Sequence, residues 1–491
     1  MIDFQIIFLT VILLAVFFAG LAVSAGLGLI SHVATLRERG FFHWLFPIII
    51  GAMALSVLLS RRSLSNVDML FAGGQDLGTG MAAVWLGRLS SVLGLAICFE
   101  RLSRFIFVPS SREGVAWPIF WAFLAFVSGN VLINGALGTE PGFSHRNLYP
   151  VLAILTALIV ARTDSGRSIR WARNSLLWLF IASACVVPLM PDMVFQKGYA
   201  GISLPGFKAR YWGLATHANS LGPLAAVFLL LIWNNPFKSR SVNAVSWLLG
   251  LASLMLSQSK TAFALALVCM GIMLAYRVRP WFSNAWQSGG NRAGVAAIIF
   301  GAMLLISILG YQFMFADWTR PIERFLATRA GSDVLTLTGR NVIWAATLRE
   351  WQANIWFGYG PTLWDDAYRF KTGLLHAFHA HNQFVHSLGS GGIVGLVTVV
   401  FYSFVLMVYA LRAAGATRGL SLALLLFIGV RSLTEVPFLM NGFGGPDFFT
   451  HLLLVMVCAG LAATRAVTSH AYSPLSMPRH SAPSPTPVGA R

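Results

Sequence analysis

The stretch Gly392-Ile-Val-Gly-Leu-Val-Thr-Val-Val-Phe-Tyr-Ser-Phe-Val-Leu-Met-Val-Tyr-Ala-Leu411 runs for twenty residues without a charge. As an α-helix it rises about 30 Å, enough to cross the hydrocarbon of a bilayer. Backbone crossing hydrocarbon must satisfy its own hydrogen bonds, which a helix does within one segment. Working outward, similar apolar runs lie near 4–30, 44–60, 81–99, 115–133, 147–161, 175–190, 212–233, 243–257, 261–276, 293–315, 419–430 and 448–464. Composition agrees, with 57% hydrophobic and only 11% charged residues, less than half the charged share of a soluble domain. The expected fold is all-α, a polytopic transmembrane helical bundle of about 12–13 spans. One long loop, 316–391, is inserted in it and carries short amphipathic helices. Residues 1–465 read as a single transmembrane domain. Residues 466–491, with Pro474, Pro478, Pro483, Pro485 and Pro487, read as a disordered tail. The first run has only Asp3 before it and no small-residue cleavage pattern, so it reads as a retained helix.

The net charge of +18 would suggest nucleic acid as partner of a soluble protein, but here the basic residues sit in short loops between spans. Alternate loops (31–43, 100–114, 162–174, 234–242, 277–292, 412–418 and the tail) carry 19 Lys/Arg and 4 Asp/Glu, against 15 and 13 on the other side. The positive-inside rule makes the first set cytoplasmic, turns the long loop outward and leaves no call for nucleic acid. Cys98, Cys185, Cys269 and Cys458 all fall inside apolar runs, the usual setting of a small buried hydrophobe. They form no disulfide framework and no zinc spacing.

No carboxylate lies at the middle of a span, whereas ion-coupled carriers place ionisable groups there, which weighs against a transporter. Arg88 lies inside a span and either faces a polar cavity or an anion, or snorkels to the interface. The outward loop is the polar centre of the sequence: Leu337-Thr-Gly-Arg-Asn-Val-Ile-Trp344, Trp356-Phe-Gly-Tyr-Gly360 and His376-Ala-Phe-His-Ala-His-Asn382. Trp344, Leu348, Trp351 and Ile355 share one face of a helix expected to lie on the membrane surface. Thr338 is placed to cap that helix and Arg340 falls in its first turn, a site for an anion or for lipid phosphates. His381, beside Asn382 where the chain re-enters the membrane, is a candidate general base, since an imidazole of ordinary pKa near 6.5 can take a hydroxyl proton at neutral pH. It could equally be a capping or surface histidine. His376, His379, His381 and His386 also bring His-x-His spacing to one stretch, a pattern that can ligate zinc or copper. With no Cys or acidic residue among them, no metal and no other cofactor are expected. Gly391 and Gly395 form a small-xxx-small pair suited to close helix packing. Arg210 in Phe207-Lys-Ala-Arg-Tyr-Trp-Gly213 and Lys260 in Ser257-Gln-Ser-Lys-Thr261 are further anion-binding candidates, the alternative for Lys260 being that it simply ends a helix. Ser257-x-x-Lys260 and Lys371-Thr-Gly373 match two signatures of penicillin-binding enzymes, but the third, Ser-Asp-Asn, is missing, as are a Walker loop, His-Glu-x-x-His and Gly-x-Ser-x-Gly.

Taken in order, Arg-x-x-Gly before an Asn-bearing span, Ser-x-Ser-Lys, Thr-Gly-Arg-x-x-Ile-Trp, Gly-Tyr-Gly and His-Asn before a Gly-rich span resemble the O-antigen ligase and polymerase superfamily over roughly 205–400. Leu337–Trp344 with Phe357–Gly360 and His379–Asn382 looks most like the exopolysaccharide polymerases. The resemblance implies a C-type membrane glycosyltransferase fold and a polyprenyl-diphosphate-linked glycan as donor, undecaprenyl diphosphate in bacteria. It implies inverting, metal-independent chemistry on the periplasmic face of the inner membrane. By motif, Arg210 and Arg340 would bind the diphosphate and His381 would activate the acceptor hydroxyl, with Asn382, Lys260 and Arg88 as further substrate-binding candidates. Lys260 stands where the family commonly has Arg.

The leading expectation is a polymerase of exopolysaccharide or O-antigen repeat units. The runner-up is a ligase that moves glycan to a lipid A core in lipopolysaccharide biosynthesis, and a lipid-linked glycan flippase or transporter is the reading from another class. The expected partners are the lipid-linked donor, a glycan or lipid A core acceptor, membrane lipids and other polysaccharide-assembly proteins of the cell envelope.

Overall fold

The computed structural model describes residues 2–37, 40–65, 81–112, 114–199, 208–287, 292–315, 340–375, 377–443 and 445–471. In chain order they form α1 (Ile2–Leu36), α2 (Leu45–Ser60), α3 (Met81–Phe107), α4 (Trp117–Val127), a π-helical turn Ser128–Leu132, α5 (Ile133–Leu137), α6 (His145–Val186) and α7 (Pro191–Val194). After the strands β1 (Phe195–Lys197) and β2 (Ala209–Tyr211) come α8 (Ala218–Asn234), α9 (Arg240–Leu256), α10 (Lys260–Gln287) and α11 (Arg292–Phe315). The last elements are α12 (Arg340–Ala353), α13 (Asp366–Thr372), α14 (Gln383–Ala413), α15 (Leu420–Arg431) and α16 (Pro446–Ala471). The protein is a multi-pass, all-α membrane bundle, as its apolar runs predict. The described strands are one antiparallel pair in which Gln196 faces Arg210.

Every span expected from the sequence coincides with a helix. Among the described residues six helices are long and apolar enough to cross a membrane, and five apolar helices are shorter, Ala218–Asn234 and Leu420–Arg431 being two of them. Helix α8 is apolar all round, and its residues from Leu224 to Ile232 are fully buried, as are Leu452–Met456 of α16. These two helices form the centre. Helix α1 lies at the periphery, with Phe17, Phe18, Leu21 and Leu29 more than half exposed, the lipid-facing side of such a bundle.

Four expectations are corrected. Residues 162–174 are helical and not a loop, because α6 is continuous from His145 to Val186. Its start is tied to the 438–442 segment, through Asn147 to the Met440 carbonyl and Gly442 N–H to Arg146. Its middle meets the other end of the bundle, with Asp164 3.6 Å from His43 and Gly460 packed on Ser165. Beyond α6 the chain is beside the C-terminal end of α2, away from His43, where Arg62 binds the Met193 carbonyl. Both ends of α6 therefore lie on one side and its charged middle on the other, so the element doubles back through 162–174 and the two expected spans are its two arms. Second, the span expected at 212–233 begins as helix only at Ala218, which leaves Trp212–His217 outside the helix. Third, the long loop ends at Asn382 and not at 391, because α14 starts at Gln383. Fourth, the last helix runs to Ala471, past the expected boundary at 465.

Helix α14 is broken at Gly392, whose φ of 61° and ψ of −157° no helix accommodates. A break of this kind strands carbonyls before it and amides after it, which hydrocarbon would penalise. Four of these groups find partners in other segments. Tyr359 and Gly360 N–H donate to the Gly389 and Ser390 carbonyls at 2.8 and 2.9 Å, and Asn134 Nδ2 also donates to Ser390. Beyond the break, Ile393 and Val394 N–H donate to the carbonyls of Ile355 and Trp356. The Gly-Tyr-Gly segment thus patches the broken helix with its own backbone. Gly391 and Gly395 give the close approach that their spacing predicts: a Cβ on Gly391 would lie 3.2 Å from the Gly129 carbonyl, and Asn130 Nδ2 bonds the Gly395 carbonyl.

A Cβ at position 392 would lie 2.3 Å from the Trp356 carbonyl carbon and would also hold a side chain at positive φ. Gly392→Ala is therefore expected to destabilise the protein by about 2–5 kcal/mol, and Gly51→Ala, where an added Cβ meets nothing, by less than about 1 kcal/mol. Thermal unfolding of the two variants in one detergent checks the contrast.

Candidate active site

Three loops and the start of one helix meet at one end of the bundle, beside the C-terminal end of α2 and the N-terminal ends of α8 and α14. The first loop is 377–382. Asn382 has extended backbone and caps α14, its Oδ1 accepting from Phe384 and Val385 N–H at 3.0 and 3.1 Å. The preceding His381 is held at φ 48°, a left-handed conformation that non-glycine residues adopt at a cost and that recurs at functional sites. Trp344 Nε1 of α12 pins the loop by donating to the Ala380 carbonyl at 2.7 Å.

The second loop, 432–445, follows α15. Buried Gln383 locks it to the first: its N–H donates to the Ser432 carbonyl at 2.8 Å and its Oε1 accepts from Phe438 N–H at 2.9 Å. Arg431 anchors the base of this loop with a two-pronged pair to Asp447. Glu435 is thereby delivered to the histidines. His381 Nδ1 lies 3.1 Å from Glu435 Oε2, His379 Nε2 3.5 Å from the same oxygen, and Arg340 Nη2 3.9 Å from Oε1.

The protonation pattern follows from these contacts. Burial would push Glu435 up, but the hydrogen bond from His381 and the surrounding His379, His381 and Arg431 groups outweigh it and hold the carboxyl at about 2. An ionised carboxylate only accepts, so His381 Nδ1 carries the proton in this contact. In the neutral ring Nε2 is then a free lone pair, and it has no hydrogen-bond partner among the described residues. His379 Nδ1 accepts from the His381 backbone N–H at 3.1 Å, so its own proton is on Nε2, facing Glu435. Burial, with the neighbouring His381 ring, pulls His379 down to about 3 and keeps it neutral.

The group His379, His381 and Glu435 has donor atoms within 4.8 Å of one another and the chemistry of a His₂Glu metal set. Its hydrogen bonds oppose that use. A metal on His379 Nε2 would need the lone pair where the proton sits, while Nδ1 is occupied as an acceptor. Arg340 also stands beside the carboxylate, a poor neighbour for a dication.

The third loop carries Arg210 on β2 and continues to His217. Arg210 Nε donates to the Ser257 carbonyl at 2.9 Å and Nη2 to Asn219 Oδ1 at 2.5 Å, with Tyr199 4.8 Å from the guanidinium. The Ser-Gln-Ser turn is a clamp on this arginine, since Gln258 also donates to the Ala209 carbonyl at 2.6 Å. His217 lies close enough to Arg210, Glu435, Arg62 and His381 for each of them to act on its titration.

Of the residues expected from the sequence, Arg210, Arg340 and His381 are brought to one region. Asn382 is there too, as the helix cap. Lys260 is exposed at the first residue of α10 and forms no ion pair among the described residues. Arg88 is not brought in: it is exposed on α3, with Trp85 4.8 Å away as its cation–π partner. His376 and Thr338 lie outside the described residues, and His386 is buried within α14. On α12 the expected apolar residues Trp344, Leu348 and Trp351 are only partly buried. Ala346 and Thr347 are buried against α14 and the Leu363–Trp364–Tyr368 cluster, whereas Ile355 is half exposed. Sequence reading missed Glu435, His217, His379 as a partner of Glu435, and Arg62. The available signal for Glu435 was a carboxylate a few residues beyond an apolar run, next to Arg431.

His217, like His379, is held low, at about 3, mainly by burial and then by Arg210. Unfolded, both rings would take protons near 6.5. A folded pKa below the unfolded one gives stability that is complete above about 6.5 and lost as pH falls toward about 3. The unfolding midpoint in detergent is expected to drop between pH 7 and 5, with a shallower slope in His379→Gln. A midpoint flat over that range in the wild type would contradict it.

Residues 244–400 match the family model described as O-antigen ligase. The match contains Lys260, Arg340, His379, His381 and the break at Gly392, while Arg210, His217 and Glu435 lie outside it. A search of curated proteins found no match. Over these residues, about a third of the chain, the protein is similar to the O-antigen ligase family, which supports a place in the O-antigen ligase and polymerase superfamily.

Proposed function

We propose that the protein is an inverting, metal-independent glycosyltransferase that extends a glycan carried on a polyprenyl diphosphate, at the periplasmic face of the inner membrane. One observation carries the reading: Glu435 binds His381 Nδ1 and leaves Nε2 free, in a region flanked by Arg340 and Arg210. The acceptor hydroxyl oxygen attacks the anomeric carbon and its proton passes to His381 Nε2. The C–O bond to the diphosphate breaks, and its electron pair stays on the leaving oxygen. Charge growing on that oxygen is met by fixed guanidinium donors in a partly dry site, which does the work a metal does elsewhere. Glu435 stabilises the imidazolium that forms, so one carboxylate both orients the base and supports its charge.

The same chemistry serves a ligase, and the description of the matching family as O-antigen ligase favours that second reading. The two differ in acceptor. The segments 31–43, 162–174 and 234–242 gather at the end opposite the site, through His43 with Asp164 and Arg173 with the Pro236 carbonyl. Those are segments of the more basic set, which supports a periplasmic site.

The test is glycan formation by purified protein given a lipid-diphosphate-linked oligosaccharide, with a chelator present. His381→Ala is expected to lower the rate by about 10²–10⁴-fold and Arg340→Ala by about 10²–10³-fold. Longer lipid-linked glycan from the wild type, insensitive to chelator, supports the polymerase. Product formed only with added lipid A core supports the ligase. Folded wild type that moves lipid-linked glycan across vesicles without bond formation contradicts both.

A further inference from the structure

His217 is not assigned by the motifs above, yet it is among the most constrained side chains near the site. Its Nδ1 accepts from Asn219 N–H at 2.9 Å, capping α8, and its ring lies 4.3 Å from that of Trp212. The segment that carries it is fixed by Arg62, whose buried guanidinium donates to the carbonyls of Met193, Gly213 and Thr216 at 3.1, 2.9 and 2.9 Å. Ser183 Oγ fixes it again by accepting from Leu214 N–H at 3.0 Å.

A ring nitrogen that accepts carries no proton, so the proton of neutral His217 is on Nε2. That N–H has no hydrogen-bond partner among the described residues. The adjacent Arg210 commits Nε and Nη2 to Ser257 and Asn219, and its Nη1 likewise has no partner among them. Two residues with an unspent donor each are thus joined through Asn219, which bonds both, within electrostatic reach of His381 and Glu435.

We propose that His217 Nε2–H donates a hydrogen bond to a diphosphate oxygen of the lipid-linked donor, beside Arg210, and strengthens it as the leaving oxygen gains charge. This rests on the glycosyltransferase reading above. His217 keeps its proton throughout, because the acceptor proton goes to His381 and the C–O electron pair to the diphosphate. Arg210 and Arg62 nearby disfavour an imidazolium, and burial drives the ring to the neutral form, so the donor works uncharged across ordinary pH. A neutral imidazole that polarises an oxygen is a known use of a histidine with lowered pKa.

The experiment compares wild type, His217→Ala and His217→Asn as purified full chains. It measures farnesyl diphosphate affinity by calorimetry, and kcat and KM for transfer at pH 5.5 to 8. In His217→Asn, Oδ1 can keep the cap and Nδ2–H can replace the donor. Expected are a 10- to 100-fold fall in kcat for His217→Ala, roughly the loss of one buried hydrogen bond to charge, with weaker diphosphate binding, partial recovery in His217→Asn, and a wild-type to His217→Ala ratio that is flat with pH. Wild-type kcat and affinity in folded His217→Ala overturn the proposal, as does a ratio that climbs below pH 6.5, the sign of an imidazolium. Wild type that neither binds farnesyl diphosphate nor makes glycan overturns the underlying reading and this proposal with it.

Discussion

The structure depends on the break in α14. A helix that must pass through hydrocarbon can stop hydrogen-bonding to itself only where something else bonds to it, and at Gly392 that something is the backbone of 355–360. The exchange is reciprocal: two amides enter from Tyr359 and Gly360, and two leave from Ile393 and Val394 to the carbonyls of Ile355 and Trp356. The segment cannot drift without leaving polar groups bare in an apolar setting. It also binds the next layer, because Thr139 and Glu140 N–H donate to the Gly358 and Tyr359 carbonyls. A loop that composition alone would leave on the surface thus becomes part of the bundle, and α12 and the His loop are carried with it.

That rigidity sets the chemistry. His381 sits at positive φ between the Trp344–Ala380 bond on one side and the Asn382 cap on the other, and Gln383 ties the same turn to the loop bearing Glu435. The imidazole is consequently aimed by backbone, and its tautomer is chosen by one ionised carboxylate. The arginines are held differently. Arg210 is clamped by neutral carbonyl and amide acceptors, and Arg340 only loosely faces Glu435, so among the described residues neither cation is neutralised by a tight ion pair. A site with spare positive charge and one committed carboxylate suits an anionic leaving group and does not suit a second cation.

Much of this is legible in sequence, for physical reasons. Apolar runs report helices because hydrocarbon tolerates little else, so every expected span is helical even where boundaries move. Gly391 and Gly395 report close packing because only glycine allows it. Arg340 and His381 stand out as polar residues beside apolar helices. What is not legible depends on partners distant in the chain. Glu435 meets His381 across 54 positions, and no local pattern encodes that meeting. Asn382 caps α14, a role that needs the helix start to be known. Residues 162–174 read as a loop by charge, yet charged side chains at the end of a bundle do not stop helical hydrogen bonding. Arg88 reads as costly in the membrane, and its answer is a neighbouring Trp85 one helical turn away.

The central claim is that Glu435 holds His381 with its proton on Nδ1 and its lone pair on Nε2. Nitrogen-15 spectra of protein labelled at histidine, assigned with His381→Gln, test it directly at neutral pH. The account predicts a neutral His381 with protonated Nδ1, and loss of that preference in Glu435→Gln. A His381 protonated at Nε2, unchanged in Glu435→Gln, would contradict it.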